Sequence, residues 1–335
     1  AVITAAFLSE NRTAMKKALI TGIAGQDGSY LADLLLAKGY QVEGIDLPDV
    51  VPGNFARIEN RIILHRGSLL DNDWLKRVVT DAAPDECYHL AASSFVSHHF
   101  RDEVETLENN ILGTHNLLAV LKEKVPPCRF FFAGTSEMFG TAEHSPQDET
   151  TPFRPRSVYG ISKVAGHHLV EYYRQAHGTY ACTGILYNHE SPRRGPSFVT
   201  RKITTAVARI HCGLDKKLVL GNLDSERDWG YAPDYVQGMW LMLQAEAPRD
   251  YVLSSGTMHT VREFVELAFS ELGLDFNRYV VTSSEFYRDK EKVPMCGNAR
   301  RIHENLGWKP SKPFHDIVRE MVRSDLAYFK TAVKL

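Results

Sequence analysis

A doubly wound parallel α/β sheet is the fold this sequence predicts, and three observations carry it. Short apolar runs alternate with amphipathic segments through the first half of the chain. A turn with regularly spaced glycines follows the first apolar run directly. Past residue 188 the alternation loosens and Pro, Gly and Arg become frequent, as expected of a smaller region capping the sheet. Alternating strands and helices put helices on both faces of one parallel sheet.

The elements follow in order. Residues 18–20 make the first strand, a short apolar run of the kind buried on both faces. The glycine turn opens a helix over 30–38. Residues 41–46 and 61–65 are the second and third strands, and 71–79 is helical in pattern. A strand at 86–90 leads to a helix around 107–121. Residues 130–133 form a buried strand, 159–175 a helix and 182–186 a further strand. Beyond these, helical patches at 203–209, 235–243, 261–272 and 317–326 are separated by long loops. The expected division is an extension at 1–14, a dinucleotide-binding domain at 15–187 with catalytic residues at its edge, and a mainly substrate-binding region at 188–335. Some segments of that last region are expected to return to the first domain.

With 44% hydrophobic and 24% charged residues and a formal charge of -2, the chain reads as an ordinary globule. Neither nucleic-acid nor membrane-surface binding is suggested. Cys87, Cys128, Cys182, Cys212 and Cys296 lack CxxC spacing, so free thiols in a reducing cytoplasm are expected. The apolar stretch 1–8 is too short to span a bilayer, and Met15-Lys16-Lys17 looks like a more natural start.

The glycine turn has chemistry of its own. Gly22, Gly25 and Gly28 sit between a strand and a helix in a GxxGxxG spacing. Glycines there permit a tight turn and close approach of a pyrophosphate, whose charge the helix N-terminus stabilises. The sheet is thus Rossmann-like in expectation. Asp46 closes the second strand, where an acid can bind the adenosine ribose hydroxyls of NAD. Its other reading is a strand-end acid capping the turn before Pro48. No basic residue follows until Arg57. A 2′-phosphate at ~4 Å from Asp46 costs roughly 4 kcal/mol per unit charge at an effective dielectric near 20. The sequence therefore favours NAD over NADP.

Two short words carry the reaction. Thr135-Ser136-Glu137 ends an apolar run, and 22 residues after Glu137 comes Tyr159, with Lys163 one helical turn on. A Tyr and a Lys so spaced can share a face. A free Tyr titrates near ~10, and a neighbouring ammonium favours the phenolate. Lowering it by ~3 units takes about 4 kcal/mol. Such a pair can take a proton from a sugar hydroxyl, and Glu137 adds an acid–base group that simple hydride transfer does not require.

With these words in place, the chain resembles the extended short-chain dehydrogenase/reductases, and within them the GDP-mannose 4,6-dehydratase family. The likeness spans residues 17–322. It is carried by ITGIAGQDGSY at 20–30, YNHESPRRG at 187–195, FVTRKI at 198–203 and GNLDSERDWG at 221–230. Asp234-Tyr235-Val236 and Gly307-Trp308-Lys309-Pro310 add to it. The resemblance implies that Tyr159 is the base for hydride transfer from carbon 4, that Lys163 lowers its pKa and holds the nicotinamide ribose, and that Thr135 binds the carbon-4 oxygen. Glu137 would remove the carbon-5 proton and help water leave from carbon 6, before hydride returns there. A cofactor site is implied at Gly22, Gly25, Gln26, Asp27, Gly28, Asp46, Ser68, Leu69, Leu90, Ala91, Ala92, Tyr159, Lys163 and His189. A GDP-sugar site is implied at Ser94, Ser136, Asn188, Arg194, Lys202, Arg227, Arg288 and Glu291. A cytoplasmic homodimer or homotetramer is expected, with no metal.

The sequence also departs from the family. Asp46-Leu47-Pro48-Asp49 stands where relatives carry an Arg-Arg-Ser stretch for the NADP 2′-phosphate, NADP being the family default. Ser68 stands where they carry an Asp, and 288–293 replaces an Arg-Pro-x-Glu-Val word. A heptose dehydratase, a nucleotide-sugar 4-reductase or epimerase, a UDP-glucuronate decarboxylase and a non-catalytic sensor are the alternatives. His98-His99 and His167-His168 are set aside as ligands, since adjacent histidines are not expected to converge on one ion. Trp229 and Trp308 read as packing residues.

Overall fold

The computed structural model describes residues 15–50, 53–54, 56–93, 100–283 and 293–332. The predicted extension at 1–14 lies outside them. The elements run β1 (Lys17–Thr21), α1 (Gln26–Ala37), β2 (Gln41–Asp46), β3 (Ile63–Arg66), α2 (Asn72–Ala82), β4 (Glu86–His89) and α3 (Phe100–Leu107). They continue with α4 (Gly113–Lys124), β5 (Arg129–Thr135), α5 (Val158–His177), β6 (Ala181–Leu186), β7 (Asn188–Glu190), α6 (Val199–His211), β8 (Leu218–Leu220) and β9 (Glu226–Tyr231). The last are α7 (Ala232–Gln244), β10 (Tyr251–Leu253), β11 (Met258–Thr260), α8 (Val261–Glu271), β12 (Val280–Thr282), α9 (Arg300–Leu306) and α10 (Phe314–Ala332).

Seven parallel strands form the main sheet in the order β10-β6-β5-β4-β1-β2-β3. The order reverses between β1 and β4, which opens the ligand crevice of a doubly wound sheet at their carboxyl ends. The apolar run Phe130, Phe131 and Phe132 of β5 is buried, as a central parallel strand covered on both faces demands. One face packs on α1 and α7 through Leu31, Leu35, Tyr235 and Met239. The other packs on α2, α4 and α5 through Leu75, Val79, Leu117, Leu121 and Val170. A second cluster gathers α6, α8 and α10 around Trp229, Phe264 and Phe269. The order β11-β9-β7 makes a small sheet that begins two residues after β6.

Two differences from the sequence reading have clear causes. The helix expected over 107–121 is broken by a π turn at Glu108–Leu112 between α3 and α4. That wide turn carries Asn110 inward, where it is 2% exposed. The long loops expected after residue 188 contain β7 to β12, most of them three residues long. Strands that short carry no readable period. Trp229 and Trp308 do pack in the core, the latter donating from Nε1 to the Asp234 carbonyl at 2.7 Å.

Candidate active site

The glycine turn is built as a cradle. Gly22 has φ of +72°, and its N–H donates to the Ile45 carbonyl at 2.8 Å, tying the turn to β2. Gly25 closes back on the Gly22 carbonyl at 3.1 Å. A Cβ on Gly28 would lie 2.4 Å from the Gly22 oxygen and 2.6 Å from Ile23 Cα, so only glycine lets α1 pack this close to the turn. Gly25 is the N-cap of α1 and offers it no side-chain cap. Its first N–H groups suit a phosphate. Asp46 accepts from the Ala24 N–H at 2.9 Å and the Leu47 N–H at 3.0 Å. Leu90 and Ala91 leave β4 beside the turn, their N–H groups bonded to the Thr21 carbonyl and hydroxyl at 3.2 Å each. Ala92 follows, half-buried. Ser68 and Leu69 follow β3 on the same rim, where Ser68 Oγ accepts from Leu70 N–H at 3.2 Å.

The reactive words meet at the ends of β5 and α5. Thr135 is the last residue of β5, and its hydroxyl accepts from the Glu137 N–H at 3.3 Å. Ser157 caps α5 by accepting from Gly160 N–H at 3.0 Å, which sets Tyr159 in the first turn. Burial pushes the Tyr159 phenol up to about 12, against a hydrogen bond from Thr135 and the charge of Arg194. Lys163 is 3% exposed and donates from Nζ to the Ala133 carbonyl at 2.8 Å. Its Nζ is 5.9 Å from the centre of the Tyr159 ring, and burial brings it down to about 7. The helical spacing places both on one face, but Lys163 turns its ammonium to the Ala133 carbonyl, and burial is the largest influence on Tyr159.

Glu137 and Ser136 line a small cavity with Asn188 of β7, Arg227 of β9 and Arg156. Arg194 stacks on Phe198, its guanidinium carbon 3.7 Å from the ring centre. Its Nε is 3.3 Å from Glu190 and buried there with no hydrogen bond among the described residues. Lys202 is half-buried on α6 and is not among the residues lining that cavity. Ser94, Arg288 and Glu291 lie outside the described residues. His189 is buried and meets Asp27 at 2.8 Å, while Gln26 donates to the His189 carbonyl at 2.9 Å.

Two polar groups escaped the sequence reading. Asn110 accepts from Ser93 N–H and donates to Ser162 Oγ, each at 2.9 Å, one residue from Lys163. His89 lies between Thr21 and Thr114 hydroxyls at 2.7 and 3.0 Å, and burial, then the Lys163 charge, lowers it to about 3. An Asn inside an apolar helical pattern is the signal that could have flagged the first. His167, His168 and Glu171 present ligand atoms all within 4.8 Å of one another, so these adjacent histidines do converge, contrary to the expectation. Their contacts to Thr183 at 3.1 Å and Glu171 at 2.9 Å are ordinary hydrogen bonds. Among the described residues, no helix is long and apolar enough to cross a membrane.

The cradle, the Thr135–Tyr159 contact and the Glu137 cavity are the parts of a nucleotide-sugar enzyme. The family model described as GDP-mannose 4,6 dehydratase matches residues 19–321. The chain belongs to the GDP-mannose 4,6-dehydratase family. A member from Arabidopsis thaliana, GDP-mannose 4,6 dehydratase 2, is 45% identical over 330 residues, covering 94% of this chain and 88% of its own. RMD from Pseudomonas aeruginosa, complexed with NADPH, superimposes with a TM-score of 0.79 at 26% identity, covering 94% and 99% of the two chains. The UDP-glucose 4-epimerase of Thermus thermophilus, in complex with NAD, gives 0.80 at 26%, covering 92% and 98%. The chain thus shares its doubly wound scaffold with both of these structures.

Proposed function

We propose that this chain dehydrates GDP-mannose to GDP-4-keto-6-deoxymannose. The observation that carries the reading is Glu137, which shares one cavity with Asn188 and Arg227 while its own N–H is held by Thr135, the hydrogen-bond partner of Tyr159. A 4-reductase or epimerase has no use for a carboxylate at that point. A nicotinamide dinucleotide fits the glycine cradle and the uncapped start of α1, and it supplies the redox chemistry by accepting hydride from carbon 4 and giving it back at carbon 6.

The chain's own residues do the rest. Tyr159 acts as its phenolate, a strong base given its raised phenol. It receives the carbon-4 hydroxyl proton and returns it to carbon 5 as hydride reaches carbon 6, while Thr135 positions the carbon-4 oxygen. Glu137 takes the carbon-5 proton and delivers it to the carbon-6 hydroxyl, so one water leaves, and the protons balance once the proton taken from the carbon-4 hydroxyl returns to carbon 5. Arg227 suits the diphosphate, since a guanidinium binds phosphate oxygens in pairs. NAD is the proposed form, supported by the Asp46 carboxylate at the end of β2. A homodimer or homotetramer in the cytoplasm remains the proposed state.

The test is to incubate the purified protein with GDP-mannose, first alone and then with NAD or NADP, and to look for a product lighter by one water. A Glu137→Gln variant is expected to bind GDP-mannose and yield none. Normal turnover by that variant removes Glu137 from its role, and no dehydrated product under any condition overturns the reading.

A further inference from the structure

We propose that a proton shared between His189 Nε2 and Asp27 Oδ2 closes a clasp that holds the glycine turn against β7, fixing the dinucleotide's site relative to the sugar's. The roles of the two sites rest on the function proposed above. The clasp itself rests on hydrogen-bond accounting.

His189 Nδ1 lies 2.6 Å from the Tyr187 carbonyl, which can only accept, so Nδ1 carries a hydrogen. The other ring nitrogen lies 2.8 Å from a carboxylate oxygen of Asp27. A neutral ring with its hydrogen on Nδ1 has a bare lone pair on Nε2. Two acceptors do not approach to that distance in a buried place unless a proton lies between them. Tyr235 stacks on the same ring, centres 4.4 Å apart and planes 22° apart, which also suits a cationic imidazole. Burial works to raise the Asp27 carboxyl, but His189, then Gln26 and Arg194, hold it below its ordinary value.

Position gives the clasp its consequence. Asp27 is in the first turn of α1, directly after the Gly25 cradle. His189 is the middle residue of β7, and its neighbour Asn188 lines the Glu137 cavity. The same turn of α1 holds this segment through Gln26, which bonds the His189 carbonyl at 2.9 Å and the Ser191 hydroxyl at 2.7 Å. Those two bonds are indifferent to pH. The His189–Asp27 bond is the one of the three that needs an added proton. The charged and titratable groups around the pair are Arg194, Glu190, Tyr159 and Tyr235, with Asp234 and Asp228 behind the last. Losing the proton leaves facing acceptors and one uncompensated negative charge, so the clasp opens as pH rises.

Histidine-labelled protein tests this by long-range proton–nitrogen correlation, with His189→Gln identifying the signal. A doubly protonated His189 ring at pH 7, becoming singly protonated in Asp27→Asn, is the expected result. A singly protonated ring in the unaltered protein at pH 7 overturns the proposal. Asp27→Asn keeps the contact by donating its amide hydrogen to Nε2, so it removes the charge and preserves the shape. Calorimetry with NAD and with NADP from pH 6 to 9 should then show affinity falling about tenfold in the unaltered protein and staying level in Asp27→Asn. Parallel curves for the two proteins also overturn it. Both readouts are independent of GDP-mannose turnover, so a failed dehydration assay leaves them intact.

Discussion

Lys163 donates its ammonium to the carbonyl of Ala133 at 2.8 Å, locking the first turns of α5 to the end of β5. The group is almost fully buried, and burial lowers it to about 7 from the ordinary 10.5. The unfolded chain therefore binds more protons than the folded one between about pH 7 and 10.5. Over that window Lys163's contribution to stability rises with pH, by up to about 1.4 kcal/mol per unit. Urea unfolding of the unaltered protein and of Lys163→Met at pH 7, 8 and 9 should show the rise in the former and a flatter profile in the latter. Parallel profiles count against the buried, charge-disfavouring site.

Gly28→Ala should disable the cradle while leaving the sheet. The new methyl would sit 2.4 Å from the Gly22 oxygen and 2.6 Å from Ile23 Cα, both backbone atoms that cannot rotate away. Overpacking of this sort costs about 1–3 kcal/mol. The loss of stability should come with loss of the thermal shift that added NAD or NADP gives the unaltered protein. A variant that still responds fully to dinucleotide means the ligand does not use this turn.

Asn110→Ala should weaken both the fold and the chemistry. It strands the Ser93 N–H and takes away the donor to Ser162 Oγ, one residue from Lys163. Leaving such buried groups unpaired costs about 1–3 kcal/mol. Chemical denaturation measures that loss. Turnover of GDP-mannose should fall more than its KM changes, because α5 carries Tyr159. An Asn110→Ala enzyme of normal kcat limits Asn110 to a structural part.

The sheet was legible because its strands are continuous apolar runs and its helices are long enough to show a period; β5 with its three phenylalanines and α5 are examples. The three-residue strands β7, β8, β10, β11 and β12 were not, since three residues hold no period. In the site, Thr135, Glu137, Tyr159 and the glycine turn were visible because each sits in a fixed word. The direction of Lys163 was not visible, because spacing gives the face of a helix but not the partner an ammonium takes. The His189–Asp27 contact joins residues 162 apart in sequence, and no local pattern announces it.

Asp46 sets the last expectation. Its carboxylate is tied to the Ala24 and Leu47 N–H groups, so it is held beside the cradle. Arg66, paired with it in register on β3, turns its guanidinium to the carbonyls of Pro48 and Val50 at 3.2 and 2.9 Å. A 2′-phosphate here would face a fixed negative charge while the neighbouring cation is engaged with backbone. Asp46→Asn keeps an oxygen for the Ala24 N–H and removes the charge. At ~4 Å the repulsion is roughly 4 kcal/mol per unit charge, and solvent at this half-exposed site screens most of it. The preference for NAD over NADP should therefore shrink about tenfold in Asp46→Asn, with the larger change on the NADP side. The measurement is the ratio of the two dissociation constants, beside the identity of the dinucleotide released on denaturing the unaltered protein. An unchanged ratio, or NADP alone in the released fraction, removes Asp46 as the selector and assigns the choice to groups around Ser68.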